Sequence, residues 1–144
     1  MDEARTDRGT TLLLFPAAIL VVLALAAITI DLSALHGAHR RAERLVTAVA
    51  DDAAAVLDVA ALRAGLPPAI DLPRARRQAL ADLAEADLPG VVVGTPVVVA
   101  GPRPATVEVE VELRMRRGLA GLIPGSPDHE VVRVSAIGEL LEGP

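Results

Sequence analysis

The feature that most constrains this chain is an uncharged run, LLLFPAAILVVLALAAITI, which extends from Leu12 to Ile30 and ends at Asp31. Its nineteen residues match the roughly 20 that a helix needs to cross the ~30 Å hydrocarbon core of a bilayer. Twelve of them are Leu, Ile, Val or Phe, which together favour membrane insertion by about 4–7 kcal/mol. We expect Pro16 in the first turn or so, where its missing N–H costs little, and Asp31 at the exit from the bilayer. The run therefore predicts a transmembrane helix.

A cleaved export signal is the alternative interpretation of the same segment. Signal peptides combine a positive N-terminal region, an apolar stretch of about 7–15 residues and a small-x-small cleavage site. The apolar run here is longer, and Arg5 and Arg8 are offset by acidic neighbours, but residues 24–26 (Ala-Leu-Ala) would allow cleavage before Ala27. The arginines before and after the run nearly balance, so charge alone leaves the orientation of the helix undecided.

The residues that follow Asp31 continue the helix as an amphipathic segment. Apolar positions recur every seven residues in two interleaved series: Leu35, Ala42, Val49 and Val56, and Leu32, His39, Val46, Ala53 and Ala60. Gly37 is the one weak position, and Gly65 followed by Pro67 stops the pattern. We therefore expect one rod from about Leu12 to Ala64, about 80 Å long at ~1.5 Å per residue.

The downstream sequence predicts a short helix and a small antiparallel sheet. DLPRARRQALADLAEADLPG begins with Asp71 as N-cap and Pro73 in the first turn, which is typical of a helix start. VVVGTPVVVAG predicts one strand or a pair of short strands, GLAGLIPGSPD a loop and EVVRVSAIGELL a further strand. ATVEVEVELRMR alternates apolar with charged residues, so one face of the sheet is apolar and can pack against the apolar stripe of the rod.

Together these elements predict an α+β fold, with a long N-terminal transmembrane and amphipathic helix packed on a small antiparallel sheet. Residues 1–11 form an N-terminal tail, 12–30 the transmembrane helix, 31–65 its amphipathic extension and 66–144 a small α+β head. A head of about 80 residues can bury little surface, so we expect the long helix to complete its core. With one Phe and no Trp or Tyr, that core must consist of Val, Leu, Ile and Ala.

Composition and spacing argue against enzymatic and nucleic-acid-binding functions. A net charge of −5, without a basic stripe or stacking aromatic residues, disfavours nucleic acid as a partner. Ser33, Ser126 and Ser135 have no His–acid arrangement that could activate a nucleophile, and there is no glycine-rich phosphate loop. We therefore expect no catalytic residues and no cofactor.

Three groups of polar residues have the chemistry to bind a cation, but we favour a structural interpretation of each. His36 and His39 lie three residues apart on the rod, where a pair without a third ligand is more often interfacial. Asp128, His129 and the next glutamate follow a Pro-Gly-Ser-Pro turn and predict a solvated loop that enters a strand. The alternating glutamates at 108, 110 and 112 are expected on the wet side of the sheet, where like charges discourage edge aggregation. We therefore predict no metal site.

Three features of the first 60 residues resemble a known family. Arg8-Gly9 stands immediately before the apolar run, and Asp31 closes it. The segment RAERLVTAVADDAAAVL then places a set of Arg, Leu, Ala and Asp residues at matching positions: Arg41, Arg44, Leu45, Ala50, Asp51 or Asp52, Ala53 and Ala54. In these features the chain resembles the TadE/TadG-like proteins of tight-adherence (Tad, or Flp) pilus assembly. The order of its elements also resembles that of type IV pilins and pseudopilins.

The resemblance implies a structural role in a pilus-assembly or other envelope apparatus. A single span would anchor the chain in the cell membrane, with the N terminus in the cytoplasm and the head outside it. The rod and the head would contact other pilus-assembly or envelope proteins through residues that include Asp31, Arg41, Arg44, Asp51 and Asp52. The small residues of the rod would also allow the close helix approach of a homo-oligomer.

Processing and membership of a pilus machine stay open at this stage. Pilin-type precursors are cut after a glycine and carry a glutamate five residues later, whereas Leu14 is the fifth residue after Gly9. This departure argues against processing between Gly9 and Thr10. A secreted or anchored extracytoplasmic binding module unrelated to pili is the alternative function.

Overall fold

The computed structural model describes residues 6–118 and 127–140, with side chains from residue 14 onward. Within these residues the chain forms three helices and three strands: α1 (Thr6–Ala54), α2 (Val59–Arg63), α3 (Leu72–Glu85), β1 (Val91–Ala100), β2 (Thr106–Arg116) and β3 (His129–Glu139). The strands form one antiparallel sheet in the order β1-β2-β3, and α1 packs across its face. The predicted α+β class is confirmed. Most of the predicted loop GLAGLIPGSPD lies outside the described residues.

The central strand β2 alternates as its sequence predicts. Its inward-facing side chains are all buried: Val107, Val109, Val111, Leu113 and Met115. β2 pairs with β3 in unbroken register, from Thr106 opposite Glu139 to Arg116 opposite His129. Because every second residue of β2 meets the core, this strand supplies most of the buried apolar side chains of the sheet.

β1 is a single strand with an internal irregularity, which decides between the two predicted arrangements. Its pairing with β2 shifts register between Val93 and Val97. Gly94 lies in this stretch with φ +75°, a conformation that glycine adopts at low cost, and Pro96 has no N–H to give to a neighbouring strand. The irregularity therefore interrupts the ladder of this edge strand without ending it.

The second half of α1 buries a face of small side chains against β2 and β3. The buried residues of this face are Ala42, Val46, Val49, Ala50, Ala53 and Ala54. Helix and sheet approach closely, because a Cβ added to Gly138 of β3 would lie 2.7 Å from the amide nitrogen of Asp51. The predicted apolar stripe is confirmed along this stretch, but Leu32 at one end stays 67% exposed and Ala60 at the other end is exposed.

The rod is shorter than predicted, because α1 ends at Ala54 and not at Ala64. Shortly after this point, Leu57 forms an isolated antiparallel bridge with Ile70. Because the backbone of Leu57 pairs with a segment thirteen residues downstream, its N–H and C=O groups no longer form the hydrogen bonds of a helix. The end of the rod is therefore set by a tertiary contact and not by the Gly-Leu-Pro-Pro stop signal.

A short separate helix follows the break. The Asp58 side chain accepts hydrogen bonds from the N–H groups of Ala60 at 2.9 Å and Ala61 at 3.0 Å, and so caps α2. Gly65 follows with φ +74° after the last turn of α2. The final eleven residues of the predicted extension 31–65 therefore belong to the connection between α1 and α3.

α3 begins at the predicted N-cap. The Asp71 side chain accepts a hydrogen bond from the N–H of Arg74 at 3.1 Å. The buried residues of the helix, Ala75, Ala79 and Leu83, lie on the side that packs against α1 and β1. α3 thus closes a core whose described buried apolar residues are Val, Leu and Ala, as predicted, together with Met115, which the prediction left out; no Ile is fully buried among them.

The first half of α1 extends away from the head. The helix passes through Gly37 without a break, as predicted. It already begins at Thr6, so Pro16 lies ten residues inside the helix and not in the first turn. There the proline removes one backbone hydrogen bond, a defect that transmembrane helices tolerate better than a charged residue.

Candidate functional site

One helix among the described residues, α1, is long and apolar enough to cross a membrane. The large apolar side chains of its first half are exposed: Leu14, Phe15, Ile19, Leu20, Val21, Val22, Leu23, Leu25, Ile28 and Ile30. Soluble monomers rarely expose a contiguous apolar patch larger than a few hundred Å². This helix near the N terminus therefore fits a membrane anchor. Gly9 and Thr10, the candidate processing positions, lie in its first turns.

The predicted exit residue, Asp31, lies against the end of β2. A Cβ added to Gly118 would be 2.6 Å from Oδ1 of Asp31, so the carboxylate of Asp31 lies close to the backbone of Gly118. Asp31 itself is half-buried. The point at which α1 leaves the apolar segment is thus in contact with the chain that follows the central strand of the head.

A groove of about 570 Å³ opens beside this contact, between α1 and the ends of β2 and β3. We call it the membrane-proximal groove, and its lining residues are Ile28, Asp31, Leu32, Ala34, Leu35, Ala38, Pro89, Met115, Arg116, Arg117, Gly118 and Glu130. One wall is the apolar side of α1. The opposite wall includes Arg116, Arg117 and Glu130, so the groove is apolar on one side and has charged residues on the other.

Arg117 is the most constrained of the charged residues in this groove. Its Nη2 donates a hydrogen bond to Oε2 of Glu130 at 2.9 Å, and its backbone N–H donates to the carbonyl of Asp128. Its Nε is buried and has no hydrogen-bond partner among the described residues. Because both side chains are only about one-third exposed, this ion pair is shielded from solvent more than the other pairs of the head.

Arg41, predicted as a partner contact, is engaged within the protein. Its Nη2 donates to Oδ2 of Asp87, which follows α3 in the sequence. This ion pair joins α1 to the chain between α3 and β1, and both side chains are well exposed. Exposed pairs contribute about 0–1 kcal/mol, so its role is to orient these segments more than to stabilise them.

The other predicted contacts on the rod, Arg44, Asp51 and Asp52, are exposed on α1. Arg44 and Asp51 are seven residues apart, which places them on nearly the same line of the helix and about 10 Å apart along its axis. Asp52 lies beside Arg74 of α3 in a shallow surface pocket. The fold therefore leaves one charged line of the rod, Arg44 to Asp51, facing away from the sheet.

The two rod histidines do not act as a pair. His39 Nε2 lies 3.2 Å from Oε1 of Glu43, one helical turn further along. His36 and His39 both border a second shallow groove of about 560 Å³ on the β3 side of α1, with Leu35 and Val132. In the described part of the chain, His, Asp and Glu side chains do not gather in groups of three or more that could hold a metal ion.

The outer face of the sheet carries the predicted row of glutamates, and an arginine of β3 pairs with two of them. Arg133 lies 3.2 Å from Glu110 through Nε and donates from Nη2 to Oε1 of Glu112 at 2.7 Å. The hydrogen bond to Glu112 and the nearby charge of Glu110 raise the pKa of Arg133 above its ordinary value. These glutamates are thus part of a cross-strand ion network.

Asp128 and His129 form a local pair at the start of β3. The carboxylate of Asp128 and Nδ1 of His129 lie 2.5 Å apart. This hydrogen bond, followed by the charge of His129, lowers the pKa of the Asp128 carboxyl below its ordinary 3.8. Both side chains are exposed, as expected for a solvated loop, whereas the next residue, Glu130, turns into the membrane-proximal groove.

Sequence reasoning missed the two arginines that organise these surfaces, Arg117 and Arg133. Each pairs with a glutamate on a neighbouring strand, and the signal that could have found them is the strand register, since Glu112 is directly opposite Arg133. The role of Arg117 could not be predicted because it follows the last residue of β2, where the alternating pattern no longer indicates which face of the sheet a side chain lies on. No family model, curated protein or solved structure matches this chain.

Proposed function

We propose that the protein is a single-span, membrane-anchored structural component of a tight-adherence type pilus-assembly apparatus, or of a related envelope apparatus. α1 anchors it in the cell membrane, with the N terminus in the cytoplasm and the head outside. It acts through contacts of the rod and the head with other proteins and not through catalysis. The observation that carries the proposal is the continuity of α1, which runs from the exposed apolar segment into the core of the head.

A continuous helix gives the head a fixed place relative to the membrane. Ala42, the first fully buried residue of the rod, follows Asp31 by eleven positions, or about 16 Å of helix. Asp31 lies close to Gly118, which follows the last residue of β2 by two positions. A protein that only captures a ligand has no need of such a rigid connection, whereas a scaffold component does.

The charged line of the rod is the surface we assign to partner contacts. Arg44 and Asp51 present opposite charges two turns apart, so a neighbouring rod with the same spacing could pair with both. Exposed pairs are individually weak, and they select the offset between partners more than they supply affinity. The resemblance of the segment Arg41–Leu57 to TadE/TadG-like proteins supports the same assignment.

Cysteine labelling tests the anchor and its orientation directly, because the chain contains no cysteine. Thr6→Cys places a thiol at the start of α1, and Ser135→Cys places one on the exposed face of β3. In intact cells whose outer barrier is permeabilised, a membrane-impermeant maleimide should label only the Ser135→Cys protein. Labelling of Thr6→Cys alone would reverse the orientation, and recovery of the chain in the soluble fraction would refute the anchor.

Mass spectrometry of the mature N terminus separates the processing alternatives. A chain that begins at or near Met1 supports the anchor. A start at Ala27 means a cleaved export signal, and a start at Thr10 means prepilin-type processing.

Site-specific photocrosslinking tests the assembly role. A crosslinking residue at Arg44 or Asp51 should capture envelope proteins or a second copy of the chain, and one at Arg77, exposed on α3, serves as the matched control. Pilus-assembly proteins crosslinked from the rod but not from Arg77 would support the proposal. Crosslinks that form only from the head, to proteins outside any pilus apparatus, would favour the alternative of an extracytoplasmic binding module.

A further inference from the structure

We propose that a second copy of this chain docks on the outer face of the sheet, the face that α1 does not cover, through the exposed side of its own helix α3. The contact is head-to-tail, because each copy offers a sheet face to one neighbour and a helix face to another. The inference rests on the proposed membrane anchoring, which gives every copy the same orientation. It adds a self-assembly surface on the head to the partner contacts assigned to the rod.

The outer face of the sheet carries two charged residues without partners, Glu108 near the start of β2 and Arg114 near its end. Within the described residues, neither side chain forms a hydrogen bond or an ion pair, whereas the carboxylates between them pair with Arg133. Four apolar side chains that are between 43% and 67% exposed flank the two charges in the neighbouring strands: Val99 and Ile137 at Glu108, and Val91 and Val131 at Arg114. Each charge therefore lies between two apolar side chains on an open surface.

α3 presents one exposed side that carries charges at its two ends. Arg74 and Arg77 lie near the start of the helix, Ala81 in the middle and Glu85 at the end, and all four point away from its buried side. Arg74 lies beside Asp52 of the rod but forms no ion pair with it. Within the described residues, the side chains of the other two charged residues are likewise unpaired. This side of α3 is basic at its start, small in the middle and acidic at its end.

β2 and α3 run in the same direction relative to the membrane. The start of β2 lies at the level of Ala50 of the rod, and the chain just after its end lies at the level of Asp31. α3 descends as well, from the level of Asp52 to that of Arg41. A second copy that is anchored in the same membrane therefore brings its α3 alongside β2 at the same height and with the same polarity.

The charges of the two surfaces then meet as opposite pairs, with Arg74 at Glu108 and Glu85 at Arg114. Arg74 and Glu85 are eleven residues apart, which places them on nearly one line of the helix and about 16 Å from each other. Glu108 and Arg114 are six residues apart on one face of a strand, a distance of about 20 Å. The long arginine side chains can span the difference of about 4 Å, so both pairs can form in one contact.

The width of the outer face matches a single helix. β1 and β3 lie on either side of β2, so about 10 Å separates them, which is the diameter of a helix with its side chains. A helix centred on β2 therefore also contacts the exposed apolar side chains of both outer strands. Ala81, in the middle of the exposed side of α3, lets the helix approach the sheet between the two charged ends.

The exposed line of the rod has the wrong order of charges for this site. From the membrane-distal end downward it runs from Asp51 to Arg44. In a copy of the same orientation, the acid would face Glu108 and the arginine would face Arg114. Like charges that face each other across an interface are unfavourable, so the charge order selects α3 and not the rod as the occupant.

Cysteine crosslinking in membranes tests the contact, because the chain has no cysteine of its own. Ala81→Cys places a thiol on the exposed side of α3, and Ser135→Cys places one on the outer face of the sheet. The two positions lie on opposite sides of one head, so a short bismaleimide joins them only between copies. We expect the chain with both cysteines to form dimers and a ladder of larger products, and either cysteine alone to form at least fivefold fewer dimers.

Two crosslinking results would overturn the proposal. Dimers formed equally well by Ala81→Cys alone would mean a two-fold contact between helices and not a head-to-tail one. Arg63→Cys, exposed at the end of α2, combined with Ser135→Cys gives the yield of random collisions. A ladder from the Ala81 and Ser135 pair that does not exceed this yield would refute the contact.

Charge reversal tests the pairing itself. In the chain with both cysteines, Glu85→Arg or Arg114→Glu should each reduce the crosslinked product about fivefold, and the two together should restore it. Arg63→Glu is the matched control and should leave the yield unchanged, and an equal loss there would refute the location. Failure of the double reversal to restore the product would refute the pairing. All three residues are exposed, so these substitutions should not disturb the fold.

Three further outcomes separate this inference from the proposed function. If the chain fractionates with membranes and labels as proposed but forms no ladder, the self-assembly surface fails while the anchor stands. If the chain is soluble without detergent, the proposed function fails and this inference fails with it. A photocrosslinker at Arg77 should capture a second copy, recognised by twice the mass of the chain. Capture of a different envelope protein from Arg77 instead would overturn the choice of a second copy as the occupant.

Discussion

Gly138→Ala is the substitution that most directly probes how the rod is held by the sheet. Gly138 is buried on β3 where the strand crosses α1, and a new Cβ would lie 2.7 Å from the amide nitrogen of Asp51 and closer still to the carbonyl group of Ala50. Non-bonded heavy atoms prefer separations of about 3.5–4.0 Å, so helix and strand must move apart by roughly 1 Å or more. Both contacting groups are backbone atoms inside regular elements and cannot rotate away.

The expected loss of stability follows from this geometry. Overpacking a well-packed core costs about 1–3 kcal/mol, and we place Gly138→Ala near the upper limit because α1 and β3 would have to shift together. In a domain of about 60–100 residues, each 1 kcal/mol lowers Tm by about 4–8 °C, so a loss of about 3 kcal/mol corresponds to about 12–24 °C. The span should remain inserted and helical, because its hydrogen bonds are internal to the helix.

The assay must follow the head and not the span. The chain has no Trp or Tyr, so thermal unfolding in detergent is best followed by amide hydrogen exchange of β2 and β3 together with far-UV circular dichroism. Gly37→Ala is the matched control: a Cβ there meets nothing within 4 Å, and alanine should stabilise the helix by about 1 kcal/mol. A Gly138→Ala protein that unfolds within about 0.5 kcal/mol of the parent would refute the close packing of α1 on β3.

Three further substitutions probe the core, a helix cap and a local ion pair. Leu113→Ala removes a fully buried side chain and should cost about 2–5 kcal/mol in denaturant unfolding, and a smaller loss would mean that the core is loosely packed. Asp71→Ala removes the N-cap of α3 and should cost about 1 kcal/mol in the same assay, whereas Asp71→Asn should retain most of the stability. His129→Gln should raise the pKa of Asp128 toward its ordinary 3.8, measured by NMR titration of the carboxyl group. Since the folded pKa is lowered, the contribution of Asp128 to stability is present above pH 3.8 and is lost as the pH falls through the folded value; an unchanged titration in His129→Gln would contradict the pairing.

The sequence by itself determined the parts of this protein that depend on local physics. Nineteen uncharged residues predict a membrane span because insertion depends on length and apolar content. The alternation in β2 and the Asp71 cap were correctly predicted because strand facing and helix capping are set within a few residues. The apolar stripe of α1 likewise identified the face that the sheet covers.

Only the tertiary structure decided where the rod ends and which charges meet. The helical pattern continues past Ala54, but the bridge between Leu57 and Ile70 ends the helix, and such pairing between distant segments leaves no signal in helical periodicity. Arg41 meets Asp87 across 46 residues of sequence. The membrane-proximal groove exists because α1 is longer than the sheet that covers it, a mismatch of lengths that appears only when the two are packed together.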